Sequence, residues 1–194
     1  MNESGACQGK TDEELVSLSL ENADWYGCLM RRYESKLARY IYRISNASVE
    51  DIQDLLQEVF LAAYRNLNDF DQTLKFSSWI YRIAHNKVIS HYRKTAARAD
   101  VIDGEEGEKL LAMVSDQADI FGSVNDVITG EVLGKLLKKI DVKYKEVLVL
   151  RYLEQKEYGE ISDIIKKPVG TVATLLNRAK KRMRALIDEE GIKL

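Results

Sequence analysis

The sequence predicts an all-α protein of two small helical domains joined by a flexible acidic linker. Three observations carry that expectation. Apolar residues recur at helical spacing from Trp25 to Val88 and again from Val132 to Ile187. Breakers are few: one proline, Pro168, and eleven scattered glycines in 194 residues, whereas sandwiches and barrels need many turns. Residues 100–129 hold eight acids against one base, include Gly122, and carry only scattered apolar side chains. The expected division is a first domain over 12–96, a linker over 97–123 and a second domain over 124–190.

In the first domain, Trp25, Leu29, Tyr33, Leu37, Tyr40, Ile41 and Ile44 fall on one helical face. Ser45 to Ser48 breaks that helix. Ser48-Val49-Glu50-Asp51 then reads as a new start, a hydroxyl cap followed by acids in the first turn. The helix it opens runs to about Leu67 and buries Ile52, Leu55, Leu56, Val59, Phe60 and Ala63. Asn68 to Thr73 is turn-rich. The next helix spans about Phe76 to Arg93, with Phe76, Trp79, Ile80, Ile83, Ala84 and Val88 inward and Ser78, Arg82, His85, Asn86 and Arg93 on the other side. Helices with such short connections form a small bundle. The linker contains at most one helical turn, around Leu110 to Val114.

The second domain offers a helix through Val132, Leu133, Leu136, Leu137 and Ile140, and another through Tyr144, Val147, Leu148 and Tyr152. Asp141 is placed to cap the latter. A short helix over Tyr158–Ile165, a Lys166-Lys167-Pro168 turn and a basic helix from Val169 through Ile187 complete it. A short helix, a tight turn and a basic amphipathic helix make a helix-turn-helix, whose second helix fits the DNA major groove. An ordinary helical hairpin with a solvated basic face is the plainer alternative.

Composition narrows the class further. Hydrophobic residues make up 45% of the chain, enough for a packed core. No run approaches the ~18 apolar residues of a membrane span, and Met1 to Lys10 lacks the apolar core of a signal peptide. Ser4-Gly5-Ala6-Cys7 resembles a lipoprotein cleavage site only locally. Cys7 and Cys28 make neither a metal set nor a disulfide framework. A soluble cytoplasmic protein without membrane insertion is expected. The net charge of −2 conceals blocks: residues 75–99 carry six bases and no acid, and residues 130–194 carry fifteen bases against ten acids. An acidic protein can bind DNA when such blocks face the phosphates.

Specific motifs go further. Tyr158-Gly159-Glu160-Ile161, Pro168-Val169-Gly170-Thr171-Val172 and Asn177-Arg178-Ala179-Lys180 resemble region 4 of the extracytoplasmic-function sigma factors of the sigma-70 family, preceded by Val147 to Tyr152. Asp54 to Phe60 resembles the polymerase-docking segment of region 2, and Phe76 to Asn86 its promoter-melting segment. The resemblance covers about 12–95 and 124–190, in family order.

The resemblance implies a non-catalytic subunit with three working surfaces. Asp51, Asp54, Gln57, Glu58 and Leu61 would dock on the β′ subunit of RNA polymerase core; the plainer alternative is a solvated face with acids favoured at a helix N-terminus. Asn68, Asp69, Phe70, Lys75, Arg82 and Asn86 would hold flipped bases of the −10 promoter element, supplying amides, an aromatic wall and cations. Thr171, Ala173, Thr174, Asn177, Arg178 and Lys181 would meet the −35 element, while the second domain also contacts the β subunit. Trp79 reads as core. His85 and His91 read as exposed or DNA-adjacent, not catalytic. No cofactor and no metal are expected, and the implied partners are polymerase core, promoter DNA and an anti-sigma factor. One departure stands out: Ala173, Thr174 and Leu175 replace the Lys or Arg, Ser, Arg common in the family, so the −35 read should differ or weaken. Two competitors remain: a regulator that uses its helix-turn-helix without polymerase, and a helical-bundle enzyme built on carboxylates and His85. The regulator does not explain the first-domain motifs. The enzyme lacks a Ser/His/Asp set, a phosphate loop or metal spacing.

Overall fold

The computed structural model describes residues 7–45, 47–96 and 130–192. The expected linker over 97–123, with its turn near Leu110, lies outside the described residues. Those described form helices and turns, with no strand among them.

Helix α1, Asp12–Glu21, starts on a reciprocal cap: Thr11 Oγ1 accepts from the Glu14 amide at 3.1 Å, and Glu14 Oε2 accepts from the Thr11 amide at 2.7 Å. Apolar spacing did not reveal this helix, because it buries only Leu15, Val16 and Ser19. Its signal was Thr-x-x-Glu. A 3-10 turn, Ala23–Trp25, leads into α2, Tyr26–Ser45. Helix α3, Val49–Arg65, begins at Ser48, whose Oγ accepts from the Asp51 amide at 3.1 Å. It stops two residues short of Leu67, which joins a 3-10 turn over Leu67–Asp69. Helix α4 covers Phe76–Ala96.

These helices share a core of Leu29, Leu37 and Ile41 from α2, Ile52, Leu55 and Val59 from α3, and Phe76, Ile80, Ala84 and Val88 from α4. Trp79 is 8% exposed, as its face requires. Its ring lies 5.2 Å from Phe70 and 5.6 Å from Phe76. Offset and edge contacts of this kind add about 0.5–1.5 kcal/mol each beyond area burial.

The second domain comprises α5, Gly130–Lys138; α6, Val142–Leu148, extended by a wider π turn over Val149–Leu153; α7, Tyr158–Ile165; and α8, Val169–Glu189. Ile140 follows α5 rather than belonging to it. Asp141 occupies the cap position of α6, but its carboxylate makes no capping bond and pairs with Lys143 Nζ at 3.2 Å instead. Lys166 ends α7 with φ 53°, a left-handed conformation, and Pro168 stands at the cap of α8. Val147, Leu150, Ile161, Ile164, Val172, Leu176 and Ala179 close the core.

The two domains lie against one another, α7 on α4 and α6 on α2. A further difference from the sequence reading lies at the N-terminus. Cys7 and Cys28 form a disulfide, with Cα atoms 5.7 Å apart. Two cysteines 21 residues apart reveal nothing by spacing. Their meeting depends on α1 folding back along α2, a tertiary event.

Candidate functional site

The α3 surface is assembled from the Ser48 cap outward. Asp51 is half-buried and accepts from the Ser48 hydroxyl at 2.9 Å, so the cap holds its carboxylate. Asp54, Gln57 and Glu58 are exposed, and Leu61 is 54% exposed despite being apolar. Gln57 and Leu61 line a groove between α2 and α3 with Met30, Arg31, Leu56 and Tyr64. Tyr26 braces its floor, donating its hydroxyl to the Phe60 carbonyl at 2.7 Å. Burial holds that phenol well above the usual tyrosine range. Glu58 pairs with Lys87 of α4 at 2.9 Å. The five residues lie on one helix, with the acids and amide of Asp51, Asp54, Gln57 and Glu58 toward its start and middle and the exposed Leu61 beyond them.

The turn before α4 is shaped by Asp71. Its Oδ1 accepts from the Thr73 amide at 2.9 Å and the Thr73 hydroxyl at 2.7 Å, and both bonds hold the carboxyl below the usual aspartate range. Asn68, Asp69, Lys75 and Asn86 are exposed and Arg82 is half-buried. Phe70 departs from the expected aromatic wall: it is 6% exposed and its ring is enclosed by Phe76 and Trp79. It supports the loop from within the core and offers no face to a base. Ser78 and His85, expected outward, are covered. Ser78 lies under α7, whose Glu160 takes Lys75 Nζ at 3.4 Å and the Ser78 hydroxyl at 3.5 Å, and His85 meets Glu146 of α6.

The covering contact is a buried polar junction. Glu146 accepts from the Tyr40 hydroxyl at 3.1 Å and pairs with His85 Nδ1. Glu154 accepts from the Tyr81 hydroxyl at 2.5 Å and from Arg43 at 3.2 Å. Lys156 Nζ donates to the Ser77 hydroxyl at 3.0 Å and sits 4.8 Å above the Tyr81 ring. Burial pushes the Tyr40 and Tyr81 phenols far up, and the facing carboxylates push them further. Burial also lowers the Lys156 ammonium, while Glu160 and Glu154 oppose that shift. None of Tyr40, Arg43, Glu146, Glu154 or Lys156 was singled out as functional from sequence. The available signal was weak: charged residues such as Arg43 and Glu146 beside apolar helix faces.

On α8, Thr171, Ala173, Thr174, Asn177, Arg178 and Lys181 are all exposed and face away from the core positions Val172, Leu176 and Ala179. Thr174 donates its hydroxyl to the Gly170 carbonyl at 2.9 Å. Lys180 lies 5.5 Å over the Tyr152 ring, and its hydrogen bond to Tyr152 raises its pKa above the ordinary lysine value. This surface is cationic and hydroxyl-bearing, and nothing in the second domain covers it.

Among the described residues, no helix is long and apolar enough to cross a membrane, and no group of three or more His, Cys, Asp or Glu could hold a metal ion.

The family model described as Sigma-70 region 2 matches residues 29–98, and that described as Sigma-70, region 4 matches residues 130–183. The chain is 31% identical over 165 residues to the extracytoplasmic-function (ECF) RNA polymerase sigma factor SigW of Bacillus subtilis, a match covering 83% of this chain and 88% of that one. It is 30% identical over 182 residues to the ECF RNA polymerase sigma-E factor of Haemophilus influenzae, covering 88% and 92%. Its fold matches CnrH, solved in complex with the cytosolic domain of CnrY, at a TM-score of 0.69 and 24% identity over 93% of this chain and 99% of that one. It also matches the sigma factor RpoE of Bartonella quintana, solved with the anti-sigma factor NepR, at 0.61 and 16% identity over 82% and 94%.

Proposed function

The chain belongs to the extracytoplasmic-function sigma factors of the sigma-70 family, and from that premise we propose how its surfaces divide the work of transcription initiation. The domain over 12–96 docks on polymerase core through Asp51, Asp54, Gln57, Glu58 and Leu61. Acids and an amide meet basic groups of the β′ subunit, and Leu61 fills an apolar gap. Asn68, Asp69, Lys75, Arg82 and Asn86 then hold the melted −10 strand, with Phe70 bracing the loop beneath them. The domain over 124–190 lays α8 in the major groove of the −35 element and contacts the β subunit. In transcription initiation the chain performs no covalent chemistry. It works in the cytoplasm, where polymerase is.

The observation that carries this reading is the pairing of two family matches with two outward surfaces, the acid-and-leucine strip on α3 and the basic face of α8. The junction adds a constraint. With α7 on α4, Lys75 is engaged by Glu160 and Ser78 is covered, while Asn68, Asp69 and Asn86 stay exposed, so parting of the domains would free Lys75 and complete the −10 face. An anti-sigma factor is the expected antagonist, and it would act by favouring this closed form.

Run-off transcription with polymerase core and a genomic promoter library tests the function. The wild-type chain should select a discrete promoter set. Asp54→Arg with Glu58→Arg should abolish both transcription and core binding in a pull-down while the helical spectrum stays unchanged. Unchanged core affinity would remove the α3 assignment, and no promoter-dependent product would remove the function.

A further inference from the structure

The Cys7–Cys28 bridge is unused by the surfaces above. The chain does not need it to hold a core: α1 is tied to α2 by Asp12, which pairs with Arg32 at 2.5 Å and accepts from the Tyr33 hydroxyl, and to α4 by Glu13, which accepts from the Phe76 amide at 3.3 Å. Disulfides that substitute for a missing core belong to small secreted domains, whereas those in reducing compartments are mostly transient and redox-sensing. The strap from Cys7 to Lys10 has thinner attachments. Besides the bridge, Arg32 Nη2 donates to the carbonyls of Cys7 at 3.3 Å and Lys10 at 2.9 Å, and Lys10 rests 5.6 Å over Trp25.

The two sulfurs are unequal. Cys28 is 5% exposed, while Cys7 is half-buried. Arg31 Nη2 lies 3.3 Å from Cys7 Sγ and 3.6 Å from Cys28 Sγ, and the rest of that exposed side chain lines the α2–α3 groove beside Gln57 and Leu61. A guanidinium beside a sulfur favours its thiolate, and a better leaving thiolate speeds exchange.

We propose that Cys7–Cys28 is a reversible thiol–disulfide exchange site for dithiol reductants, with Arg31 as its positioning cation and the strap and groove wall as what it controls. The thiolate of a dithiol attacks Cys7 Sγ, the more accessible sulfur. The Cys7–Cys28 bond breaks and its electron pair leaves on Cys28 Sγ beside Arg31. The second thiol of the reductant then attacks the mixed disulfide and releases Cys7 Sγ. The reductant ends as its own disulfide, and the protein gains two electrons and two protons as two thiols. Reoxidation by a small disulfide runs the same steps backward. In the reduced chain the strap from Cys7 to Lys10 loosens and Arg31 loses its contact with Cys7 Sγ but keeps Cys28 Sγ on its own helix, while α1 stays docked through Asp12 and Glu13.

The test uses the full chain without polymerase, so it stands apart from the transcription reading. Reduced protein is incubated with oxidised dithiothreitol and oxidised protein with reduced dithiothreitol, and free thiols are counted by alkylation and mass. Amide exchange at residues 7–11 and far-UV helicity are followed in both states. Expected are full interconversion, retained helicity, and roughly tenfold faster amide exchange at 7–11 after reduction, the sign of local opening. Arg31→Met should slow reduction about tenfold, with Arg31→Lys near wild type, because the cation stabilises the departing thiolate. Failure to form the bridge, loss of the helical spectrum on reduction, or an Arg31→Met rate equal to wild type would each overturn the proposal.

Discussion

Helices α4 and α8 carry the same kind of surface and meet different fates. Each has an apolar stripe in its own domain and a polar face rich in Arg, Lys, Asn and hydroxyls. The polar face of α8 is open along Thr171, Thr174, Asn177 and Lys181. That of α4 is roofed by α7, which buries Ser78 and engages Lys75. The closed form therefore leaves the proposed −35 surface open and occupies only one edge of the proposed −10 surface, where Glu160 engages Lys75 while Asn68, Asp69 and Asn86 stay exposed. Buried carboxylates hold the roof, and a junction of satisfied charges is a contact that can be broken by removing one member. Such a removal leaves its partners buried and unpaired, at a cost of about 3–5 kcal/mol.

The comparison breaks most visibly at those carboxylates. Glu146→Ala with Glu154→Ala strips acceptors from Tyr40, His85, Tyr81 and Arg43, and the domains should separate rather than unfold. Small-angle scattering should show a larger radius of gyration. Affinity for single-stranded −10 DNA should rise about tenfold, or ~1.4 kcal/mol, with duplex −35 binding unchanged. An unaltered scattering profile would show that the remaining contacts, including Glu160 with Lys75 and Ser78 and Lys156 with Ser77, are enough to hold the roof.

On the open helix, two substitutions separate reading from holding. Asn177→Ala should relax preference at one or two −35 positions by about 1–3 kcal/mol, measured by sequence selection. Lys181→Ala should weaken binding about equally on every sequence and reduce the salt slope by ~0.9. If Lys181→Ala changes the selected sequence and Asn177→Ala does not, the roles are reversed.

Acid gives the smallest effect. Burial raises the pKa of Glu160, but the Glu157 amide, Lys156 and Lys75 outweigh it, so the carboxyl sits below the ordinary glutamate value. A depressed carboxyl stabilises above the unfolded value, about 4.3, and that contribution fades as pH falls through the folded value. Scattering should stay constant from about pH 7 to 5 and show slight opening only below about pH 4. Opening near neutrality would place control on another group.

What the chain's own sequence determined is local. The period of Ile52, Leu55, Val59 and Ala63 sets α3, Ser48 sets its start, and Pro168 sets the cap of α8. The outward face of α8 follows from the same rule, since Val172, Leu176 and Ala179 fix which side is in. The start of α1 is also local, a Thr11–Glu14 cap rather than a period, and a reading that follows the period passes over it. Tertiary structure decided the rest. His85 meets Glu146 across 61 residues, Tyr81 meets Glu154 across 73, and Cys7 reaches Cys28 only because α1 folds back. Phe70 left the proposed base pocket because Phe76 and Trp79 enclose it. A helix's amphipathic stripe is written within a few turns of chain, whereas the cover over its polar face depends on side chains brought together from distant segments, which leave no period to read.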